Sequence, residues 1–213
     1  MKGEGFLAIW SDVDAARETD YLHWLTREHT AERMGVDGFL AVRVFRAMTE
    51  AANRFLILYE LERPDTLSGK SYLDRLNAPT PWSQRIMPIL QNFVRGGGRR
   101  AISRGDGRGG CIAALPYSQV LDAAEPIVAG IAGCDRIAAV HLLETDQAKT
   151  SIQTNEKTLR AKDQSFASLL LVEGLDQTAI RNALSEVRVA LPGDVQASDV
   201  PLYALIFALE AQH

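Results

Sequence analysis

The chain predicts the same order of elements twice, and this repetition restricts its possible folds more than any other feature. The order is strand, helix, strand, strand, helix, strand. In residues 1–100 the helix that begins near Ala15 ends at Gly35 and Gly38, because glycine tolerates the geometry of a helix C-terminus. Apolar runs and turn signals place the first series at 5–10, 15–34, 39–45, 54–61, 66–76 and 89–94.

The second series has nearly the same length. Its elements are expected at 111–115, 118–132, 137–143, 166–172, 176–190 and 202–209. This order is the ferredoxin-like arrangement, an α+β unit with a four-stranded antiparallel sheet and both helices on one face. The sequence therefore predicts two tandem ferredoxin-like βαββαβ repeats.

The strands are apolar on both faces. In the third strand Phe55, Ile57 and Tyr59 alternate with Leu56 and Leu58, and both sets are large. A bare sheet face of this kind exceeds the apolar patch that a monomer tolerates. We expect the two antiparallel sheets to pack face to face, as in a dimeric α/β barrel, and to enclose a cavity.

The segment 95–110 is dominated by glycine and arginine, a composition typical of a flexible connector. We therefore predict a first repeat at 1–100 that carries the site, a linker at 101–110, and a second, degenerate repeat at 111–213. The polar stretch 145–164 is predicted to be a solvated, mobile loop in the second hairpin.

Bulk composition excludes several classes of protein. The chain is 46% hydrophobic and 23% charged, as in ordinary globular domains. A net charge of -4 argues against nucleic-acid binding, which depends on lysine and arginine. No apolar run is long enough to cross a membrane and no secretory signal is present at the start, so we expect a cytoplasmic protein without a membrane partner.

No sequence motif requires a cofactor. Cys111 and Cys134 are far apart, and neither they nor the four histidines have the spacing of a metal site. Phosphate loops and nucleophile elbows are also missing from the sequence. We therefore predict no cofactor and no metal.

His29 and Arg43 are the candidate catalytic residues. His29 falls on the apolar face of the first helix, where a histidine can move a proton near neutral pH. Arg43 interrupts an apolar strand, and a buried guanidinium requires an anionic or hydrogen-bonding partner. The alternatives are core packing for His29 and a solvent-reaching edge position for Arg43.

Six further residues are candidate ligand contacts. His141 occupies the place of Arg43 in the second series, and the others combine a polar tip with a stem or ring that can face a cavity. Ion pairing at the surface or core packing is the alternative for each. The set is Glu28, Arg33, Tyr59, Tyr72, Trp82 and His141.

The first half resembles the dimeric α/β-barrel superfamily, and within it the EthD-like and related uncharacterised proteins. The resemblance is carried by Trp24-x-x-x-Glu28-His29-x-x-x-Arg33, Gly38-Phe39, the strand 55–61, Tyr72-Leu73 and Pro79-Thr80-Pro81-Trp82. It implies a cavity-bearing barrel. Members include monooxygenases, isomerases, haem enzymes and proteins without a known reaction.

Together these observations predict a small-molecule enzyme: a cofactor-independent oxygenase, isomerase or lyase that acts on a hydrophobic, oxygenated compound through His29 in the barrel cavity. A non-catalytic binding or structural protein is the main alternative, and a haem-binding protein through His29 is a minor one. We also expect a homodimer, because edge strands and helix faces of such sheets commonly pair.

Overall fold

The computed structural model describes residues 1–49, 53–160, 163–187 and 196–211. Its eight strands form one closed antiparallel barrel in the order β1-β3-β2-β8-β5-β7-β6-β4. The strands are β1 (Gly5–Asp12), β2 (Phe39–Ala47), β3 (Arg54–Leu61), β4 (Gln91–Arg104), β5 (Cys111–Tyr117), β6 (Ile137–Thr145), β7 (Ser168–Gly174) and β8 (Leu202–Glu210). Every predicted strand is found, and β3 has the predicted bounds.

The helices lie outside the barrel. They are α1 (Glu18–Trp24), α2 (Thr30–Met34), α3 (Lys70–Asn77), α4 (Pro81–Ile86), α5 (Glu125–Ala132), α6 (Gln147–Ser151), α7 (Asn155–Thr158) and α8 (Gln177–Glu186). The helix predicted at 15–34 is found with these bounds as one continuous segment, made of a 3₁₀ turn at Ala15–Arg17, α-helix and a π-helical turn at Leu25–His29. The prediction that a helix begins at Ser118 is wrong, since α5 begins seven residues later. The end of the helix predicted at 176–190 lies outside the described residues. No helix within the described ranges is long and apolar enough to span a membrane.

The two halves of the sheet meet edge to edge. Strand β2 pairs with β8 from Ala41 opposite Glu210 to Ala47 opposite Tyr203. Strand β4 pairs with β6 from Gly98 opposite Thr145 to Arg104 opposite Val140. Backbone hydrogen bonds at these two seams join the halves into one cylinder, and the inner faces of the two half-sheets meet across its core, as the sequence predicts.

The barrel interior is a packed core. Alternate residues of the strands point inward, since side chains of a strand alternate between its two faces. The pocket that contains His29 lies outside this core, so the candidate site is not in the barrel interior where the sequence placed it. The interior cluster comprises Phe6, Ala8, Trp10, Phe45, Ala47, Leu56, Leu58, Ile112, Ala114, Leu143, Phe166, Leu169, Leu171 and Tyr203.

The glycines of β4 are required by close packing. A Cβ atom added at Gly96 would lie 2.3 Å from the ring of Phe166, and one at Gly98 would lie 2.1 Å from the backbone oxygen of Glu144. Both distances are far below van der Waals contact, so larger residues would displace neighbouring chain. The predicted linker is therefore wrong over residues 101–104, which continue β4.

The segment 145–164 is also structured. It contains α6 and α7, and it buries Thr150, Thr154 and Glu156 against the first half of the chain. The prediction of a solvated loop is wrong because Thr150 hydrogen-bonds to the backbone of Gly97 and Glu156 pairs with Arg33, both across the fold. We call residues 147–160 the insert.

Four ionisable residues are buried together inside the barrel. Arg43 of β2 donates to both carboxylate oxygens of Glu173 on β7, at 2.7 and 2.8 Å, and its Nε lies 3.4 Å from Glu60 of β3. Nε2 of His141 lies 3.6 Å from the same Glu173 carboxylate. Burial alone would raise the pKa of Glu173, but the hydrogen bonds from Arg43 and His141 lower it to about 2.

Replacing Arg43 by methionine should destabilise the protein strongly. The change leaves the buried carboxylate of Glu173 without its guanidinium partner, whereas Glu60 keeps Arg108 at 2.8 Å, and breaking a buried pair in this way costs about 3–5 kcal/mol. Urea unfolding followed by circular dichroism measures the loss. Arg99→Met is the matched control: Arg99 pairs with Glu144 but is 63% exposed, so its loss should cost less than about 1 kcal/mol. Equal losses in the two variants would contradict the structural role of Arg43.

Candidate functional site

The candidate site is a pocket outside the barrel, between the outer face of the first-half sheet and the helices that cover it. The space open to a water-sized sphere is about 20 Å³, enough for one or two water molecules. A larger ligand therefore requires the side chains or the insert to move. The lining residues are Leu7, Ile9, Ser11, Tyr21, Trp24, His29, Arg33, Ile57, Tyr59, Tyr72, Met87, Leu90, Phe93, Arg95, Glu156 and Arg160.

A single turn of π-helix positions His29. Residues Leu25–His29 form this turn between α1 and α2, and the N–H of Thr30 donates to the carbonyl of Leu25, five residues earlier. In a regular α-helix Trp24 and His29 would point about 140° apart. The wider turn brings their rings together, with centroids 4.2 Å apart. Turns of this kind occur frequently at functional sites.

His29 is held in its neutral form. Its side chain is buried, and burial lowers its pKa well below the ordinary value, with Arg33 and Arg160 adding to the effect. Its Nδ1 atom has no hydrogen-bond partner among the described residues. A neutral histidine with a free ring nitrogen can accept or donate a hydrogen bond to a ligand, according to its tautomer.

Tyr59 places a second unpartnered polar atom in the same pocket. Its hydroxyl is buried and has no hydrogen-bond partner among the residues described. Burial raises the pKa of Tyr59 well above the ordinary value, so the group stays protonated and can donate. Because buried polar groups almost always have partners, two such atoms in one pocket indicate a place for a polar ligand atom.

Three arginines give the pocket a positive character. Arg33 of α2 forms a buried ion pair with Glu156 of the insert. Arg95 of β4 donates to the hydroxyl of Tyr72 at 3.3 Å, and the guanidinium of Arg160 lies 4.1 Å from the ring centre of Phe93. Glu156 is the sole carboxylate among the lining residues, so the pocket favours an anionic or electron-rich ligand.

The structure brings four of the predicted site residues together and separates the other four. His29, Arg33, Tyr59 and Tyr72 all line the pocket. This placement leaves their predicted roles in catalysis and binding untested, but it puts them within one ligand's reach. The pocket lies outside the barrel, which corrects the prediction that His29 faces a cavity enclosed by the sheets.

Arg43 and His141 are not part of this pocket. Both point into the barrel, where Arg43 binds Glu173 and Nδ1 of His141 lies 2.7 Å from the hydroxyl of Ser103. The interior faces and the helix-covered faces lie on opposite sides of the same strands. Arg43 therefore cannot act on a ligand held by His29, and the predicted pairing of these two residues is corrected.

Glu28 and Trp82 serve the helix packing around the pocket. Glu28 accepts a hydrogen bond from the hydroxyl of Thr80 at 2.6 Å, and Thr80 also caps α4 through the backbone N–H of Ser83. The indole of Trp82 donates to Asp20 at 3.0 Å. Neither side chain lines the pocket, so both predicted ligand contacts are corrected to contacts between helices.

Sequence reasoning missed twelve of the sixteen lining residues. A regular helical period places Trp24 on a different face from His29. Arg95 lies in a segment whose composition is typical of a linker, and the insert residues lie in a stretch that reads as a polar loop. Tyr21 offered one signal, since it falls on the same helix face as His29. The missed residues with polar or aromatic side chains are Ser11, Tyr21, Trp24, Phe93, Arg95, Glu156 and Arg160.

Solved structures of known proteins share this fold over nearly the whole chain. An anthrone oxidase-like protein aligns with a TM-score of 0.63 at 12% identity and covers 100% of this chain and 95% of its own. A proposed monooxygenase from Fusobacterium nucleatum subsp. nucleatum aligns with a TM-score of 0.55 at 10% identity, over 99% and 96% of the two chains. A proposed chlorite dismutase gives 0.53 at 11% identity, over 97% and 96%.

These similarities show the fold alone, and membership of the dimeric α/β-barrel superfamily stays a prediction. No protein-family model matches the chain, and no curated protein matches it in sequence. The EthD-like assignment within the superfamily stays a prediction.

The described residues do not fit haem. His29 offers a free Nδ1, but its ring packs against Trp24, with ring centroids 4.2 Å apart. The three arginines and Glu156 further fill the space beside it. No group of three or more metal-binding side chains occurs in the described part of the chain.

Glu156→Ala should destabilise the protein by about 3 kcal/mol or more, because it leaves the buried Arg33 without its carboxylate partner. Thermal and urea unfolding measure the change. Glu125→Ala is the matched control, since Glu125 and its partner Arg104 are both about half exposed and the loss should stay below about 1 kcal/mol. An unchanged midpoint for Glu156→Ala would mean that the insert does not close the pocket in solution.

Proposed function

We propose that the pocket binds a hydrophobic, oxygenated aromatic compound and that His29 removes a proton from it, as a cofactor-independent oxygenase, isomerase or lyase would. The observation that supports this most directly is the pair of buried, unpartnered polar atoms, Nδ1 of His29 and the hydroxyl of Tyr59, in one aromatic-walled pocket. A ligand oxygen that accepts from the hydroxyl of Tyr59, next to an acidic C–H or O–H group that faces Nδ1 of His29, would satisfy both.

The proton-transfer step uses the neutral state of His29. A neutral imidazole accepts a proton from an acidic C–H or O–H group, and the ligand becomes an enolate or phenolate. Arg33 would stabilise the developing negative charge, because a guanidinium in a dry pocket acts at low dielectric. Tyr59, which stays protonated, would donate a hydrogen bond to the same oxygen.

The pocket walls suit a planar ring system. Tyr21, Trp24, Tyr72 and Phe93 offer aromatic surface, and offset or edge contacts between rings contribute about 0.5–1.5 kcal/mol each beyond area burial. The ring of Trp24 already packs against His29 and would guide a flat ligand beside the base. A compound without a ring would leave much of this surface unused.

Anthrone is the first probe for this function. It is planar, its CH₂ group lies between two aryl rings, and loss of a proton there gives an aromatic oxyanion. With dioxygen as co-substrate the balanced reaction is anthrone + O₂ → anthraquinone + H₂O, which needs no bound cofactor. The similar fold of the anthrone oxidase-like protein supports this choice of probe.

We further propose that the chain is an EthD-like member of the dimeric α/β-barrel superfamily, that its halves are two copies of one repeat, and that it works as a cytoplasmic homodimer. The shared strand and helix order of the two halves supports the second of these. Native mass spectrometry would test the homodimer.

His29→Gln should lower kcat/KM for anthrone oxidation by about 100-fold or more, because general-base catalysis contributes about 10²–10⁴. Anthraquinone formation is followed by absorbance, and Tm confirms the fold. His23→Gln is the matched control, since His23 lies on the same helix, is exposed and contacts Arg27. A variant that unfolds, together with a wild type that neither turns over anthrone nor gains Tm from it, favours a binding or structural protein instead.

The pH profile of kcat/KM should place the protonation of His29 below pH 6.5. Burial, Arg33 and Arg160 lower the pKa of His29, so the neutral, active form persists as the pH falls through 6.5. The rate should stay level from pH 8 to 6.5 and decline only at lower pH. Measurements of kcat/KM at constant ionic strength from pH 5 to 8 check this. An acid limb centred at or above pH 6.5 would exclude His29 as the base.

A further inference from the structure

A second cavity lies beside the His29 pocket, between β4 and the insert. Its free volume is about 230 Å³, enough for a small organic molecule. Gln147, Ser151 and Gln153 are exposed at its rim, so it is open to solvent. The lining residues are Arg95, Gln147, Thr150, Ser151, Gln153, Lys157, Asp163, Gln164 and Ser165. We call this space the insert cavity.

Two cations converge in the insert cavity. Nη1 of Arg95 donates to the backbone carbonyl of Thr150 at 2.9 Å, and Nζ of Lys157 donates to the same oxygen at 2.6 Å. Arg95 is 5% exposed, so its position is fixed by the surrounding protein. A neutral carbonyl oxygen shared by two cations satisfies one hydrogen bond of each but leaves both charges uncompensated.

Neither cation has a carboxylate partner in the described part of the chain. Asp163 is the one acidic residue that lines the cavity, and it is already bound by Arg160 through contacts of 2.9 and 3.0 Å. Among the described residues Arg95 and Lys157 form no ion pair, whereas Lys149 on the same insert pairs with Asp65 and Asp146. The insert cavity thus holds two unpaired positive charges.

The titration of Lys157 is consistent with this imbalance. Burial, with the neighbouring charges of Arg95 and Arg160 and against the opposite effect of Asp163, lowers its pKa to about 8. An anion in the cavity would favour the charged amine. The charge of Lys157 and the occupancy of the cavity should therefore be linked.

We propose that the insert cavity is a binding site for an oxyanion, a sulfate, phosphate or carboxylate group, held by Arg95 and Lys157. Charged hydrogen bonds from guanidinium and ammonium groups are the usual contacts of such groups, and the hydroxyls of Thr150, Ser151 and Ser165 add further polar lining. The site is independent of the proton transfer proposed for His29. Arg95 lines both spaces, so an organic oxyanion could place its apolar part in the His29 pocket.

Isothermal titration calorimetry with three probes tests the proposal and separates the sources of the oxyanion. Sulfate represents a free ion, benzoate an organic carboxylate, and benzamide its neutral counterpart. Binding of sulfate or benzoate at pH 7 without binding of benzamide supports the site. Tighter binding of sulfate identifies a free ion, and tighter binding of benzoate identifies an aromatic carboxylate. If neither anion binds, or if benzamide binds equally well, the proposal is overturned.

Lys157→Gln should weaken anion binding about tenfold, which equals about 1.4 kcal/mol. Lys149→Gln is the matched control and should bind like the wild type, because the ion pairs of Lys149 hold it outside the cavity. Circular dichroism confirms that each variant is folded. Equal affinity of Lys157→Gln and the wild type would overturn the assignment.

The pH dependence provides a test that needs no variant. Sulfate and benzoate keep their charge from pH 6.5 to 9.5, so any loss of affinity in this range reports on the protein. Affinity should fall as the pH rises through about 8, where Lys157 loses its proton, and Lys157→Gln should not show this fall. A wild-type affinity that is constant over the range would contradict the site.

Discussion

The fold depends on burying both faces of nearly every strand at the same time. The sequence supplies large apolar side chains on alternate and on intervening positions of β3, so neither face can meet water. The structure meets this demand by closing the sheet into a cylinder, with one face in the barrel core and the other under helices. The helix-covered face of the first half is where the candidate site forms.

The pocket is assembled from both halves of the chain. The first half contributes His29, Arg33 and Tyr59, and the insert, which belongs to the second half, contributes Glu156 and Arg160. The buried pair between Arg33 and Glu156 joins them. The charged residues inside the barrel have a different role, because they connect strands of both halves and take no part in the pocket; they are Arg43, Glu60 and Glu173.

Apolar patterning was enough to predict the strands, because a strand depends on its own residues, and four of the eight predicted site residues line the pocket. The remaining features depend on partners that are distant in sequence. In the sequence the glycines of β4 are typical of a linker, and only the structure shows that Phe166 and the backbone of Glu144 pack closely against them. One extra residue in the π-helical turn at Leu25–His29 moves Trp24 beside His29. The spacing of apolar residues along the helix does not predict this turn. Arg95 and Glu156 reach the pocket through tertiary contacts alone.

Closure of the barrel also restricts how this protein can meet a second copy of itself. Each of the eight described strands has a hydrogen-bonded neighbour on both sides, but β5 and β8 pair only from Cys111 opposite Ala204 to Ala113 opposite Leu202. Sheet extension between molecules, a common route to association and aggregation, is thereby restricted to the short edges beside this seam. The other surfaces through which two copies can associate are the helices, the loops and the outer face of β8, where Leu205 and Ile206 are exposed.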